Sequence, residues 1–164
     1  MIWMLETSVN IPLFEGFNPN QLETLKSLFE SYACPANTVI FEQGGPAVYL
    51  YLILQGNIEI QYKPYDGPPI ILTRLKNGDV FGWSAVIGSP AYTSGTKSIG
   101  PVQAIRIRGL DLKRLCKEHP STGATLLDRL ARVVSTRWRN ARLQVKSMLR
   151  EGMSDSRVSL PMRS

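Results

Sequence analysis

Between Gly78 and Ser98 the chain gathers residue types that can hold an oxyanion. Four glycines, Gly78, Gly82, Gly88 and Gly95, let backbone amides approach a bound group and enter turns closed to other residues. Hydroxyls on Ser84, Ser89, Thr93, Ser94, Thr96 and Ser98 can each donate a hydrogen bond. A short helical turn from Ser84 to Ile87 would aim its leading amides and its dipole at the same point. Together these can cradle a phosphate. The same composition also describes a glycine-rich loop joining two strands.

Such a stretch needs walls, and the sequence on either side supplies them. Thr38 to Glu42, Tyr49 to Gln55, Asn57 to Tyr62, Ile70 to Lys76 and Val102 to Arg108 are short runs rich in Ile, Val, Leu and Tyr. They are punctuated by Gly44-Gly45-Pro46, Gly56, Asp66-Gly67-Pro68-Pro69 and Asn77-Gly78, the pattern of many short antiparallel strands. Even spacing of that kind predicts a sandwich or barrel, and a jelly roll is the version that disposes of exposed edges. Ahead of it, a helix follows Asn18: Pro19 suits the first helical position, Gln21 completes a capping box, and Leu22, Leu25, Leu28, Phe29 and Tyr32 recur at helical spacing. After it, Asp111 is placed to cap a short helix through Leu112, Leu115 and Cys116 that ends at Pro120. A long helix then runs from about Ser121 to about Arg150. Leu127, Ala131, Val134, Trp138, Ala141, Val145 and Met148 alternate by four and three along it, the seam of a coiled coil. A second row, Leu126, Leu130 and Val133, suits packing on the chain's own barrel. About 30 residues of helix span roughly 45 Å, more than so small a barrel covers, so the seam predicts a parallel homodimer.

The stretch resembles the phosphate-binding cassette of the cyclic-nucleotide-binding domain family, found in catabolite activator proteins, protein kinase A regulatory subunits and cyclic-nucleotide-gated channels. Phe81-Gly82, Ala85-Val86 and Pro90 carry the likeness. Ile40-Phe41-Glu42-Gln43-Gly44, Tyr51 to Gly56 and the Ile11 to Phe14 segment with its following helix also look like family scaffold motifs. The resemblance implies a jelly-roll β-barrel, mainly β with flanking helices, and a small-ligand pocket at Gly82, Trp83, Ser84, Ala85, Tyr92 and Thr93. It also implies that ligand in the cassette repositions the helix that follows. Two residues depart from the pattern. Trp83 stands where the family has a glutamate for the ribose, and Tyr92 where it has an arginine for the cyclic phosphate, with Ala91 as an apparent insertion. A phenol donates one uncharged hydrogen bond where a guanidinium forks onto the anion. That exchange costs on the order of 1.5 to 3 kcal/mol, or more than tenfold in affinity. The pocket is therefore expected to be degenerate for cyclic AMP and to take a cyclic nucleotide or another small anion weakly if at all, with Lys97 as a substitute charge partner. Trp83 either stacks on a base or fills the pocket and locks one state.

Composition bounds the rest. The sequence of 164 residues is 43% hydrophobic and 20% charged, enough for one globular domain with an accessory element. The organisation expected is an arm over residues 1–10, the barrel with flanking helices over 11–120, a dimerisation helix over 121–150 and a disordered tail over 151–164. Met1 to Leu5 is apolar but too short for a signal peptide, and no run approaches the ~20 residues of a membrane span. Cys34 and Cys116 stand far apart, as reduced structural thiols in a cytoplasmic protein do. His119 has no partner motif, and no catalytic or metal-binding constellation is visible, so no enzyme is expected. Net charge is +6. Arg129, Arg132, Arg139, Arg142, Lys146 and Arg150 form a stripe beside the seam, expected to be a solvated face rather than a nucleic-acid site. Family regulators carry a helix-turn-helix after this helix, and the residues remaining here are too few for one. The leading expectation is a dimeric sensor or regulatory module. The alternatives are a ligand-free protein-interaction module working through the dimer helix, and a transcription-linked nucleic-acid binder using the arginine stripe.

Overall fold

The computed structural model describes residues 12–133. After a 3-10 turn at Pro12–Phe14, helix α1 covers Pro19–Leu28 and ends at Phe29, whose backbone is already extended. Its start is as the sequence predicts: the Asn18 side chain accepts from the Gln21 amide, and the Gln21 side chain accepts from the Asn18 amide. Its end is not. Tyr32 sits on a strand, β1 at Glu30–Cys34, because five residues of the segment find ladder partners on Val102–Arg108. Helical spacing of Phe29 and Tyr32 could not compete with that pairing.

The remaining strands are β2 Val39–Phe41, β3 Tyr49–Gln55, β4 Ile58–Tyr62, β5 Ile70–Leu75, β6 Val80–Phe81, β7 Gly95–Ser98 and β8 Val102–Arg108. They form two antiparallel four-stranded sheets, ordered β1-β8-β3-β6 and β2-β7-β4-β5. This is the jelly-roll architecture read from the punctuation. β6 and β7 lie inside the glycine-rich stretch and bracket it.

The first sheet is two-faced, and period-2 alternation assigns its side chains. Leu50, Leu52, Val80, Ile105 and Ile107 join a core with Leu25, Phe29, Leu112, Leu115, Leu126 and Leu130 from the helices. Tyr51, Ile53, Phe81, Val102 and Ala104 face the other way, into the barrel, with Ile58 and Leu75 of the second sheet. Helix α2, Gly109–Glu118, has Arg108 as its N-cap and so starts three residues earlier than an Asp111 cap would place it; Asp111 lies in its first turn and pairs with Arg114 at 3.7 Å. Helical backbone resumes at residue 120 and runs to residue 133 as α3. Leu126 and Leu130 are buried against the chain's own sheet, with Leu127 and Val133 at the margin, while Ala131 is exposed. Val134, Trp138, Ala141, Val145 and Met148 of the expected seam lie outside the described residues, as do the arm and the tail.

Of the arginine stripe, two members are described and both are engaged. Arg129 donates to the carbonyl oxygens of Leu13, at 3.1 Å, and of Glu15, and its guanidinium lies 4.7 Å from the Phe17 ring. Arg132 pairs with Asp128 at 2.9 Å. At Arg129 the expected solvated charge is instead a clasp between α3 and the first described turn.

Candidate functional site

The cassette begins where β6 ends. Gly82 has φ +85°, and a Cβ there would fall 2.6 Å from the Tyr49 carbonyl, so only glycine lets the chain leave β6 this close to β3. It is the N-cap of a 3-10 turn at Trp83–Ala85, one residue earlier than the turn read from sequence. The Ala85 amide returns to Gly82 O at 3.2 Å and the Ser89 amide to Ser84 O at 3.1 Å, which closes the loop on itself.

The six expected ligand residues are not brought to one surface. Gly82, Ser84 and Ala85 share the turn, with Ser84 buried. Trp83 turns outward to the helical core together with Val86. Thr93 is exposed. Tyr92 goes inward and is 4% exposed. Its ring stacks on Phe41 with centroids 3.6 Å apart, and its hydroxyl donates to Tyr49 O at 2.6 Å while accepting from the Tyr49 amide at 3.0 Å. Burial pushes this phenol up to about 12, with the Tyr49 backbone bonds opposing the shift. The chain around it is tied down as well: the Tyr92 amide donates to Gly45 O, the Gly44 amide to Tyr92 O, and Pro46 bridges Ala91.

Lys97 does not join the cassette. Between buried Thr96 and Ser98, and opposite Glu59 and Val39, it points to the outer face of the second sheet. There it lines a groove of about 280 Å³ with Lys63, Gln43 and Gln61.

The sequence reading missed what fills the barrel. Tyr51 stacks on Phe81 at 4.8 Å and meets Tyr32 edge-on at 5.4 Å. Into this aromatic lining reaches Arg106 of β8, 3.9 Å over the Tyr49 ring and paired with Glu30 at 3.1 Å. Tyr49 and Tyr51 at spacing two, with Arg106 in register opposite Tyr51, were a usable signal. Glu30 gives no such signal, because the helical spacing of Leu28, Phe29 and Tyr32 predicts helix across a segment that is strand. Thr96 Oγ1, in register with Phe41, is buried with no hydrogen-bond partner among the described residues. Among those residues no group of metal-ligating side chains occurs, and no helix is long and apolar enough to cross a membrane.

A barrel of two four-stranded sheets, a glycine-led 3-10 turn between β6 and β7, and helices stacked on the outer face of the first sheet together define a class. The family model for the cyclic nucleotide-binding domain matches residues 33–119, more than half of the chain. The chain belongs to the cyclic nucleotide-binding domain family.

Two curated relatives and one solved structure place it further. A putative potassium channel protein of Rhodopseudomonas palustris is 27% identical over 149 residues, covering 90% of this chain and 34% of that protein. A CRP-like cAMP-activated global transcriptional regulator of Mycobacterium tuberculosis is 27% identical over 120 residues, covering 73% and 54%. The crystal structure of a putative cyclic nucleotide-binding protein from Geobacter metallireducens superposes with a TM-score of 0.70 at 26% identity, covering 84% of this chain and 99% of that one. The chain thus spans about a third to a half of the curated relatives it matches.

Proposed function

We propose that this chain is a regulatory or sensor module on the cyclic-nucleotide-binding fold, without catalysis of its own, whose cassette is closed to cyclic AMP. The observation that carries this reading is the double bond of the Tyr92 hydroxyl to Tyr49. At the position the family resemblance gives to the phosphate-binding arginine, a neutral phenol is turned into the barrel with both its donor and its acceptor engaged. The donor set does not fit a cyclic phosphate. Nothing in the cassette offers it a charge, since Trp83 packs on the helical core and Lys97 faces the far side of the second sheet.

Trp83 and Val86 lie against the cluster that holds Leu126 and Leu130 of α3. A change in the cassette would therefore be felt first by this helix, and we infer that the module's output is a cytoplasmic homodimer paired along the row that starts at Leu127 and Ala131. Isothermal titration with cyclic AMP and cyclic GMP tests the pocket, with sedimentation velocity on the same sample testing the dimer. The expected result is a dimer that gives no saturable heat up to millimolar nucleotide. Micromolar binding would overturn the closed cassette, and a monomer at micromolar concentration the dimeric output.

A further inference from the structure

Gly95 leaves a bare spot on the outer face of the second sheet, the face it shares with Lys97 two residues along β7. A Cβ built there would meet the Gln43 nitrogen at 3.4 Å, Phe41 O at 3.6 Å and Gln61 O at 3.9 Å, so the missing side chain uncovers backbone of the β2 exit and of β4. Gly95 and Gln43 both line the groove of about 280 Å³ that Lys97 borders, close to the lower end of the size of ligand clefts, roughly 300 Å³. Two ammonium groups line it, on Lys63 and Lys97, and neither is ion-paired among the described residues. Glu59, opposite Lys97 on β4, is held elsewhere: Gln61 Nε2 donates to it at 3.0 Å and Arg74 pairs with it at 3.7 Å. Lys63 is fixed through its backbone, because the Gln43 side chain donates to Lys63 O at 3.0 Å and accepts from the Lys63 amide at 2.7 Å. Glu42 brings a carboxylate to the lining, which leaves the cations in excess, and Val39 and Pro69 supply an apolar wall.

We propose that this groove binds a phosphate monoester carried on a small apolar body. The side-chain-free floor at Gly95 admits the phosphate to the Gln43 amide, and the Lys63 and Lys97 ammoniums close on its two charges. The body lies along Val39 and Pro69. A carboxylate or a sulfate ester brings one charge to two ammoniums and is held less well, and a cyclic nucleotide, a diester, also carries one. The Gln43–Gly45 segment is tied to the cassette loop: the Gly44 amide donates to Tyr92 O at 2.8 Å and the Tyr92 amide to Gly45 O at 2.9 Å. The groove therefore gives the module an input other than its closed cassette; the link to a sensor role rests on the reading above, the groove itself does not.

The test is an amide chemical-shift titration of the full chain with phenyl phosphate, alongside phenyl sulfate, benzoate and inorganic phosphate, with cyclic AMP titrated separately so that failure of the cassette reading is seen apart from failure of this one. The variants are Lys63→Gln, Lys97→Gln, Glu42→Gln and Gly95→Ala, with Lys113→Gln on α2 as the control, and circular dichroism melts establish that each folds. Gly95→Ala places a methyl at ordinary contact distances, 3.4 Å and beyond, so it fills the floor without forcing the sheet. The expected result is a saturable shift with phenyl phosphate centred on the amides of Gln43, Gly95 and Lys97, and weaker binding of the three other probes. Each lysine variant loses about tenfold or more, the scale of one charged hydrogen bond. Gly95→Ala abolishes binding, Glu42→Gln tightens it and Lys113→Gln leaves it alone. No saturable shift at millimolar phenyl phosphate overturns the proposal, as do shifts centred on residues 83–93. So does phenyl sulfate, benzoate or inorganic phosphate binding as tightly as phenyl phosphate, or binding that survives both lysine variants or a folded Gly95→Ala.

Discussion

Tyr92 is held inside the barrel by both its ring and its hydroxyl. Its ring gains a stacked partner in Phe41, and its hydroxyl satisfies a backbone amide and carbonyl that would otherwise lack it. Tyr92→Phe keeps the stack and removes both bonds, leaving the Tyr49 amide without that acceptor; a loss of about 1–3 kcal/mol is expected in urea denaturation. The pH dependence has a definite sign. An unfolded tyrosine ionises near 10, whereas the folded Tyr92 stays protonated to about 12. Stability is therefore full below pH 10 and falls as pH rises from 10 to 12, because the unfolded chain releases a proton the folded one keeps. Each unit of separation corresponds to about 1.4 kcal/mol. Wild type should melt lower at pH 11 than at pH 9, and Tyr92→Phe should show a shallower drop, the remainder coming from Tyr32, also pushed up to about 12 mainly by burial. Equal slopes would show that Tyr92 does not carry this dependence. At this scale the sequence was informative about positions and silent about directions. Gly82 was legible because a glycine-led turn has one backbone solution. The inward turn of Tyr92 was not, because Phe41 and Tyr49, which fix it, are more than forty positions away.

At the scale of the element, the contrast between α1 and β1 is instructive. The start of α1 is a local matter, written in Asn18, Pro19 and Gln21, and the structure has the reciprocal bonds that these residues imply. Asn18→Ala should cost about 1 kcal/mol, read from the shift of the thermal or urea midpoint; a shift near zero would mean water replaces the cap at no cost. The start of β1 is a tertiary matter. Residues 30–34 pair one for one with residues 106–102, and the Glu30–Arg106 pair exists only after that register has formed. β6 and β7, of two and four residues, are similarly products of their neighbours, too short to announce themselves by alternation.

At the scale of the whole molecule, two apolar compartments share one wall. The helical compartment is closed at its edge by Arg129, which fastens α3 to the carbonyls of Leu13 and Glu15. Arg129→Met keeps much of the stem and removes the donors. It should destabilise by about 1–3 kcal/mol and speed amide exchange across residues 13–17, with β3 and β8 unaffected. Uniform acceleration across the barrel would instead mean that the clasp supports the entire fold. The shared wall has a consequence of its own. Tyr49, Tyr51 and Ile53 of β3 belong to the barrel interior, while Leu50, Leu52 and Leu54 belong to the helices. A mutational lineage can therefore rewrite every second residue of a strand, changing which molecule the interior accepts or whether it accepts any. The interleaved residues keep the helices in place, so recognition can drift or vanish while the architecture is inherited unchanged.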